Sequence, residues 1–382
     1  MRICTFRQTS LYPVDRSVTA RSLAAYVIVL LFLGALSSFS LASESLWIAP
    51  QKIGDPLLWG RKDGIIFGLP SDGGLRGPRG LIRVGVYSVT SAAPKLLNYI
   101  AIEPVVTGPG RRIDRLGFSE MEESVLDPGE RGKRLWVDTE EKAPDLIAGD
   151  LQTIHVGPAT VERLSVKIRV ERFTKNGAHV HLIASIDSDH PSELRLSVFN
   201  EDDGPMLDEL TLTATMGNYE RLRLLWLKGR VEDSRALFSD YTGEAFVEKE
   251  SFPLDEMLRV GDGDAVVYCT SNEFSPHNTD GNDTAHWKYD LPKITQYWRV
   301  PGHDLQPDLR VRVNARRFYW ASIAPVLGGI AFENFEVRQR YVAGQTFIFG
   351  LSEKEPWEID PRLSHLKVSV QGELDGDGKE PQ

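Results

Sequence analysis

The stretch LSVKIRVERFTKNGAHVHLIASIDSDHPSELRLSVF, residues 164–199, decides the fold class of this chain. Apolar and polar residues alternate through three runs within it, at residues 164–172, 179–186 and 193–199. A period of two with many β-branched residues is typical of strands that bury one face and expose the other. Residues 175–177 (KNG) lie between the first two runs and favour a turn. The stretch therefore predicts consecutive antiparallel strands.

The same alternation continues in both directions along the chain. Further strand-like runs occupy residues 81–86, 99–106, 210–216, 265–270, 309–313 and 365–370. Helical patterns are scarce: residues 218–227 are the best helix candidate, with Asn218 as N-cap, and residues 233–238 add one more turn. The sequence predicts a mostly β protein, a large antiparallel β-sandwich with one or two short helices.

The N-terminus has the features of a secretory signal. Four arginines precede an apolar run at residues 23–36, and Ser40, Leu41 and Ala42 fit a small-x-small cleavage site. An uncleaved anchor is the alternative, but the run is shorter than the roughly 20 residues that a spanning helix needs. We expect residues 1–42 to be a signal peptide that contacts the membrane only transiently, and the protein to be secreted or periplasmic.

Three further segments follow the predicted signal. Residues 43–137 are rich in Gly and Pro and form an N-terminal β segment, which either completes the main sandwich or makes a small lobe. Residues 138–371 are the β-sandwich. Residues 372–382 are acidic and Gly-rich and are predicted to be a disordered tail.

Composition narrows the range of functions. Removal of residues 1–42 leaves 40 Lys and Arg against 53 Asp and Glu, a balance that argues against nucleic acid as a partner. Cys269 is then the only cysteine, so no internal disulfide is expected, and its apolar neighbours predict a buried thiol. The sequence has no GxGxxG, Walker, CxxC, GxSxG or HExxH motif.

Aromatic residues are concentrated in one part of the chain. Residues 286–320 contain seven of them, about twice the average density of 9%. A sugar stacks its C–H face on a flat ring while its hydroxyls and acidic groups need polar partners. Ring and cation side chains of this stretch are therefore predicted to bind a carbohydrate or polysaccharide: Trp287, Lys288, Tyr297, Trp298, Arg299, Arg316, Arg317, Tyr319 and Trp320. The alternative is that the aromatic residues simply form the core.

A long polar loop at residues 270–289 is the candidate for catalysis. His277, His286 and Tyr289 are candidate general acids or bases, with a nearby cation to neutralise a uronate carboxylate during β-elimination. Asp280, Asn282 and Asp283 offer hard oxygen ligands that suit Ca²⁺, although no cofactor is required. Both features also suit an ordinary solvated loop.

Acidic residues in other parts of the chain are weaker candidates for a functional site than the aromatic stretch and the polar loop. Strict alternation places Glu333 with Phe335 and Val337, so on a core face it needs a partner, and Arg316 or Arg317 is the candidate. Glu103 and an acidic cluster around Glu120 offer carboxylates that suit glycoside hydrolysis at a separation of about 5–10 Å. Structural ion pairs and solvated charges are the alternatives in both places.

One family resemblance follows from the strand pattern. Residues 193–216, 329–336 and 344–350 resemble the hairpins and closing strands of the galactose mutarotase-like super-sandwich, over roughly residues 136–351. That resemblance implies a fold found in sugar epimerases and in domains of polysaccharide lyases and glycoside hydrolases. The catalytic His and Glu pair of mutarotases does not align with this chain, so no catalytic residue is carried over.

These observations predict an exported protein that recognises carbohydrate, with acidic or sulfated polysaccharide as the expected ligand. Whether it also cleaves that ligand as a lyase or hydrolase stays open at this point. A non-catalytic sugar-binding module and a structural cell-envelope protein are the alternatives.

Overall fold

The computed structural model describes residues 45–69, 79–88, 93–108, 114–137, 148–216, 220–272, 293–319, 324–326 and 328–367. These ranges contain two large antiparallel sheets, so the prediction of a mostly β sandwich is confirmed. The predicted signal peptide and the predicted tail lie outside the described residues. None of the helices in the described ranges has the length and apolar character needed to cross a bilayer.

The strands are numbered in chain order. They are β1 (Trp47–Ile48), β2 (Leu58–Arg61), β3 (Ile65–Gly68), β4 (Leu81–Ser88), β5 (Ala93–Thr107), β6 (Asp114–Leu116), β7 (Leu135–Trp136), β8 (Asp150–Val156), β9 (Ala159–Val170), β10 (Val180–Asp187), β11 (Glu193–Asn200), β12 (Glu209–Met216), β13 (Leu222–Trp226), β14 (Val231–Asp233), β15 (Glu250–Pro253), β16 (Leu258–Val260), β17 (Asp264–Ser271), β18 (Thr295–Val300), β19 (Arg310–Arg316), β20 (Ala331–Arg340) and β21 (Thr346–Ser352).

The strands form two sheets. Sheet 1 has the order β1-β2-β3-β4-β5-β12-β20-β19-β15, with β6 paired to β5. Sheet 2 has the order β14-β13-β17-β18-β21-β11-β10-β9-β7, with β16 paired to β17 and β8 paired to β9. The Gly- and Pro-rich segment at residues 43–137 contributes strands to both sheets, and β5 pairs with β12 from Asn98 to Val105.

Short helices include α1 (Ser234–Leu237) and α2 (Pro356–Ile359), and 3₁₀ segments at Leu254–Glu256 and Pro361–Leu366. The helical turn predicted at residues 233–238 is confirmed: Asp233 caps α1 by accepting a hydrogen bond from the Arg235 N–H. The strand predicted at residues 365–370 is wrong where it is described, because Pro361–Leu366 is a 3₁₀ helix.

The helix predicted at residues 218–227 is also wrong where it is described, since β13 occupies Leu222–Trp226. All five residues of β13 are buried. Leu222 and Leu225 contact the core between the sheets, whereas Leu224 and Trp226 pack in a second apolar cluster on the outer face. A strand that is covered on both faces has a continuous apolar run, which a helix pattern can imitate.

The main core lies between the two sheets. Trp298 of sheet 2 is fully buried there, and its indole N–H donates a hydrogen bond to the Phe335 carbonyl of sheet 1 at 2.9 Å. Its ring lies edge-on to Phe349, with centroids 5.0 Å apart. Cys269 is a buried free thiol, as the sequence predicted, and burial raises its pKa well above the ordinary value.

The C-terminal segment covers part of the outer face of sheet 2. Leu363 and Leu366 are buried against Leu224 and Trp226 in the outer cluster. The rings of Trp226 and Trp357 lie 5.4 Å apart, and the Trp226 N–H donates to Thr270 Oγ1 at 2.9 Å. The C-terminal segment therefore stands as a wall along the part of the outer face of sheet 2 that it leaves exposed.

We expect Trp298→Ala to lower the free energy of unfolding by about 3–5 kcal/mol, because it removes a large buried ring and leaves a cavity. Urea denaturation measures the change. Trp136→Ala, at a half-buried indole on β7, is the matched control and should lose clearly less. Equal, small losses for both variants would contradict the placement of Trp298 in the core.

Candidate functional site

The structure divides the predicted site residues into three groups. Those at His277, Asp280, Asn282, Asp283, His286, Trp287, Lys288, Tyr289 and Trp320 lie outside the described residues. Trp298 is a correction: its indole lies between the sheets with no exposure, so no sugar ring can stack on it. The remaining five, Tyr297, Arg299, Arg316, Arg317 and Tyr319, are described.

The predicted single surface is split between the two sheets. Tyr297 and Arg299 belong to β18 in sheet 2, whereas Arg316 ends β19 in sheet 1. Arg317 donates to the Tyr241 carbonyl at 2.8 Å, and Arg316 lies over the Phe246 ring at 4.8 Å. The cause is the connection between β18 and β19, which crosses from one sheet to the other. Tyr297 and Arg299 therefore remain as the predicted residues that form a site together.

These two residues line a pocket of about 520 Å³ on the outer face of sheet 2. Strands β16, β17 and β18, the start of β11 and the C-terminal 3₁₀ segment supply its walls. The lining residues are Glu193, Arg259, Val260, Gly261, Val266, Tyr268, Tyr297, Arg299, Ile359, Asp360, Pro361 and Arg362. We call this the outer pocket.

Tyr297 lies across the neighbouring strand. It pairs in register with Gly350 of β21, and Gly350 pairs in turn with Glu193 of β11. A Cβ atom at Gly350 would fall 1.9 Å from Tyr297 Cζ, so the ring occupies the space that any other residue would fill. The Tyr297 hydroxyl consequently reaches Glu193 Oε1, to which it donates at 3.0 Å.

Arg299 is held by two carboxylates. Its Nε donates to Glu193 Oε1 at 3.1 Å, its Nη2 donates to Glu193 Oε2, and its Nη1 donates to Asp264 Oδ2 at 2.5 Å. Burial opposes the charge of Arg299, but the bonds to Glu193 and Asp264 outweigh it and raise the pKa further. Bidentate pairing of this kind fixes the guanidinium plane. Arg299 therefore holds Glu193 and Asp264 in position, and its charge is already paired.

Tyr268 faces Tyr297 across the β17–β18 pair, with ring centroids 5.7 Å apart. Only 3% of Tyr268 is exposed, and its hydroxyl has no hydrogen-bond partner within the described part of the chain. Burial raises the pKa of both tyrosines well above the ordinary value, and the charges of Asp360 near Tyr268 and Glu193 near Tyr297 add to this. Both hydroxyls therefore keep their protons at neutral pH and act as donors.

Two further arginines border the outer pocket. Arg362 is engaged: its Nε and Nη2 donate to Asp360 at 2.9 and 2.5 Å, and its Nη1 donates to the Arg259 carbonyl at 2.6 Å. Arg259 itself is exposed and makes no side-chain ion pair with any residue that the structure describes. The pocket thus presents one available guanidinium beside one available hydroxyl.

Only part of this site could be predicted from the sequence. Tyr268 lies in the predicted strand at residues 265–270, where alternation places it opposite the core-facing Val267 and Cys269. Arg259, Glu193 and Asp360 carry no local signal, because their roles come from strands and a segment distant in sequence. In the described ranges no three His, Cys, Asp or Glu side chains are grouped so as to hold a metal ion.

A second polar cluster lies on sheet 1. Phe332 and Phe335 both reach the core, so β20 has a bulge at the two residues between them, opposite the register shift at Asn314. The prediction that Glu333 shares a face with Phe335 is therefore wrong. Glu333 lies instead near Glu120, which accepts a hydrogen bond from Thr215 at 3.5 Å.

Burial dominates the acid–base behaviour of this cluster. It raises the pKa of Glu333 to about 8, with the Arg316 charge opposing and the Glu120 charge adding to the rise. Arg316 is thus the nearby cation that the sequence proposed for Glu333. Burial also raises the pKa of Glu120 to about 7.

Glu103 and Glu336 form a related pair on the same sheet. Both are buried, and Lys249 Nζ contacts Glu336 Oε1 and lies 3.9 Å from Glu103 Oε2. Burial, with the charge of Glu336, raises the pKa of Glu103 to about 7. Exposures of 0–1% leave no path for a substrate. A structural ion-pair network accounts for this pair better than glycoside hydrolysis does.

Comparison of the chain with protein-family models, with curated proteins and with solved structures gives no match. Function is therefore inferred from the geometry and charge of the outer pocket.

We expect Gly350→Ala to displace the Tyr297 ring, because the new methyl group cannot share its space, and to cost roughly 1–3 kcal/mol of stability. Loss of the Tyr297–Glu193 hydrogen bond should appear as a shift of the Tyr297 ring resonances in an NMR spectrum. Gly229→Ala, where a Cβ meets nothing within 4 Å, is the matched control. Unchanged Tyr297 resonances in Gly350→Ala would contradict the position of the Tyr297 ring directly over Gly350.

We expect Glu333→Gln to reduce the loss of stability at alkaline pH. A carboxyl whose pKa is raised on folding stabilises the protein fully below its ordinary value near 4.5, and that contribution is lost as pH rises through about 8. Between pH 5 and pH 9 the free energy of unfolding of the variant should fall by roughly 1–3 kcal/mol less than that of the wild type. Urea denaturation at each pH measures the difference. Glu123→Gln, an exposed position, should follow the wild type. Parallel pH curves for all three proteins would show that Glu333 titrates normally.

Proposed function

We propose that this protein is an exported, non-catalytic binding protein for acidic carbohydrate, and that the outer pocket is its binding site. The observation that carries the proposal is that one pocket combines two adjacent tyrosine rings with a guanidinium and a hydroxyl that have no partner among the described residues. The volume of about 520 Å³ lies in the range of small-molecule sites, which is roughly 300–1,000 Å³.

The acidic character of the ligand follows from the available groups. Arg259 supplies a planar fork that matches a carboxylate or a sulfate, and the protonated Tyr268 hydroxyl is a second donor. The carboxylates Glu193, Asp264 and Asp360 are already engaged by Arg299 or Arg362, so the groups left for a ligand are donors.

The carbohydrate character rests on the tyrosines. The partly exposed Tyr297 ring forms an apolar wall beside polar groups, which suits the C–H face of a sugar, and the buried Tyr268 ring packs against it at 58°. A small aliphatic acid would use the donors but not this wall.

Binding without cleavage is favoured by the acid–base state of the pocket. A general base must be deprotonated near the working pH, and both tyrosines have raised pKa values. Arg299 is likewise committed to structural partners. Lyase activity stays a prediction that the experiment below also tests. Hydrolase activity, export and the resemblance to mutarotase-like sandwiches stay predictions.

The test is a panel of pectate, alginate, hyaluronan and heparin, with amylose as a neutral control, titrated calorimetrically against the wild type and variants. We expect at least one acidic polymer to bind and amylose not to bind. Arg259→Ala should weaken that binding about tenfold or more, and Tyr268→Phe should weaken it several-fold, because each removes one donor to the anionic group. Raised salt should weaken binding as well.

Arg115→Ala, which removes an exposed guanidinium on β6 of sheet 1, is the matched control and should bind like the wild type. Each mixture is also followed for the ultraviolet absorbance of unsaturated uronate. Appearance of that absorbance would replace the binding proposal with a lyase. Absence of binding to every acidic polymer would leave the structural alternative.

A further inference from the structure

Arg195 occupies the same outer face as the outer pocket, one strand beyond it. It lies on β11 and pairs in register with Ile348 of β21, which pairs in turn with Arg299 of β18. On the other side it pairs with Ser185 of β10. Two strand spacings therefore separate the backbones of Arg195 and Arg299, or roughly 9–10 Å.

Arg195 differs from the arginines on either side of it. Arg163 is held by Asp187 through two bonds, at 2.5 and 2.7 Å, and Arg299 is held by Glu193 and Asp264. The Arg195 guanidinium makes no hydrogen bond or ion pair with any part of the chain that the structure describes, and its immediate register neighbours Ser185 and Ile348 carry no charge.

The surroundings of Arg195 are unfavourable to its charge. Burial lowers its pKa and the charges of Arg163 and Arg299 add to that effect, whereas the charges of Asp187 and Glu193 oppose it. A half-buried cation without a partner costs free energy that an anion from solution recovers on binding.

We infer that Arg195 is a second anion-binding subsite, so that the outer face of sheet 2 binds a ligand with at least two acidic groups. One group binds at Arg259 and Tyr268 in the outer pocket, and the other binds at Arg195. The ligand class is an acidic oligosaccharide, longer than one sugar unit, that extends from β16 and β17 across β18 and β21 to β11. The carbohydrate part of this inference rests on the proposed function, whereas the anion subsite does not.

The first experiment uses sulfate ion as the probe, so that it does not depend on which sugar binds. Protein with ¹⁵N-labelled arginine is titrated with sodium sulfate against sodium chloride at equal ionic strength, and the Nε–Hε resonances are followed by NMR. We expect the Arg195 and Arg259 resonances to shift and the Arg115 resonance to stay in place. In Arg195→Ala the Arg259 shift should persist, and in Arg259→Ala the Arg195 shift should persist.

The second experiment uses the acidic polymer that binds in the panel, together with its acidic monosaccharide. Arg195→Ala should weaken polymer binding about tenfold and leave the weaker monosaccharide binding unchanged. Arg195→Lys, which keeps the charge but loses the fork, should give a smaller loss. Thermal unfolding is the folding control, and each variant should have a single cooperative transition well above the temperature of the titration.

The outcomes separate the two proposals. If sulfate shifts Arg259 but not Arg195, or if Arg195→Ala binds the polymer like the wild type, the second subsite is wrong and the proposed function stands. If sulfate shifts Arg195 but no acidic polymer binds, the subsite stands and the carbohydrate assignment is wrong. If sulfate shifts neither arginine, the subsite is overturned whatever the panel gives.

Discussion

The burial of Trp298 between the two sheets fixes the orientation of β18, and the outer pocket depends on that orientation. Successive side chains of a strand point to opposite faces, so an inward indole at position 298 turns Tyr297 and Arg299 outward. The indole N–H adds a bond to the Phe335 carbonyl of sheet 1, which ties the strand to the opposite sheet. Trp298 does not contribute to a ligand-binding surface, but its burial determines that Tyr297 and Arg299 can.

Hydrogen bonding then decides which outward groups remain available. Glu193 joins Tyr297 and Arg299, and Asp360 joins Arg362, so these side chains hold one another in place. Arg259, Tyr268 and Arg195 are left with donors that the described chain does not satisfy. On this surface the carboxylates pair with some of the arginines, and other arginines have no partner in the described chain. Those arginines can bind anions at defined points, although the protein as a whole is acidic.

The two sheets use buried charge differently. On sheet 2 the carboxylates are paired with arginines at the rim of an open pocket. On sheet 1, Glu103 and Glu333 are buried and Glu120 is partly buried, and all three have raised pKa values. The charges of Lys249 and Arg312 oppose the rise at Glu103, and the charge of Arg316 opposes it at Glu333. Buried carboxylates with raised pKa values lower stability at alkaline pH, and the exposures of 0–1% at Glu103 and Glu336 leave no access for a ligand, so that pair is consistent with a structural role.

The sequence by itself determined the class of fold, because alternation in runs such as residues 164–172 requires one buried and one exposed face and needs no distant partner. It also determined that Cys269 is buried and that Tyr297 and Arg299 share a face. Tertiary structure alone decided the rest. Leu222–Trp226 became a strand because the C-terminal segment covers its outer side, and Glu333 left the core face because a bulge shifts the register of β20. The aromatic stretch was divided because β18 and β19 joined different sheets, and Arg259 and Arg195 became candidate ligand-binding groups only because other strands took the nearby carboxylates. These outcomes depend on contacts between residues far apart in the chain, and such contacts leave no periodic mark on the sequence.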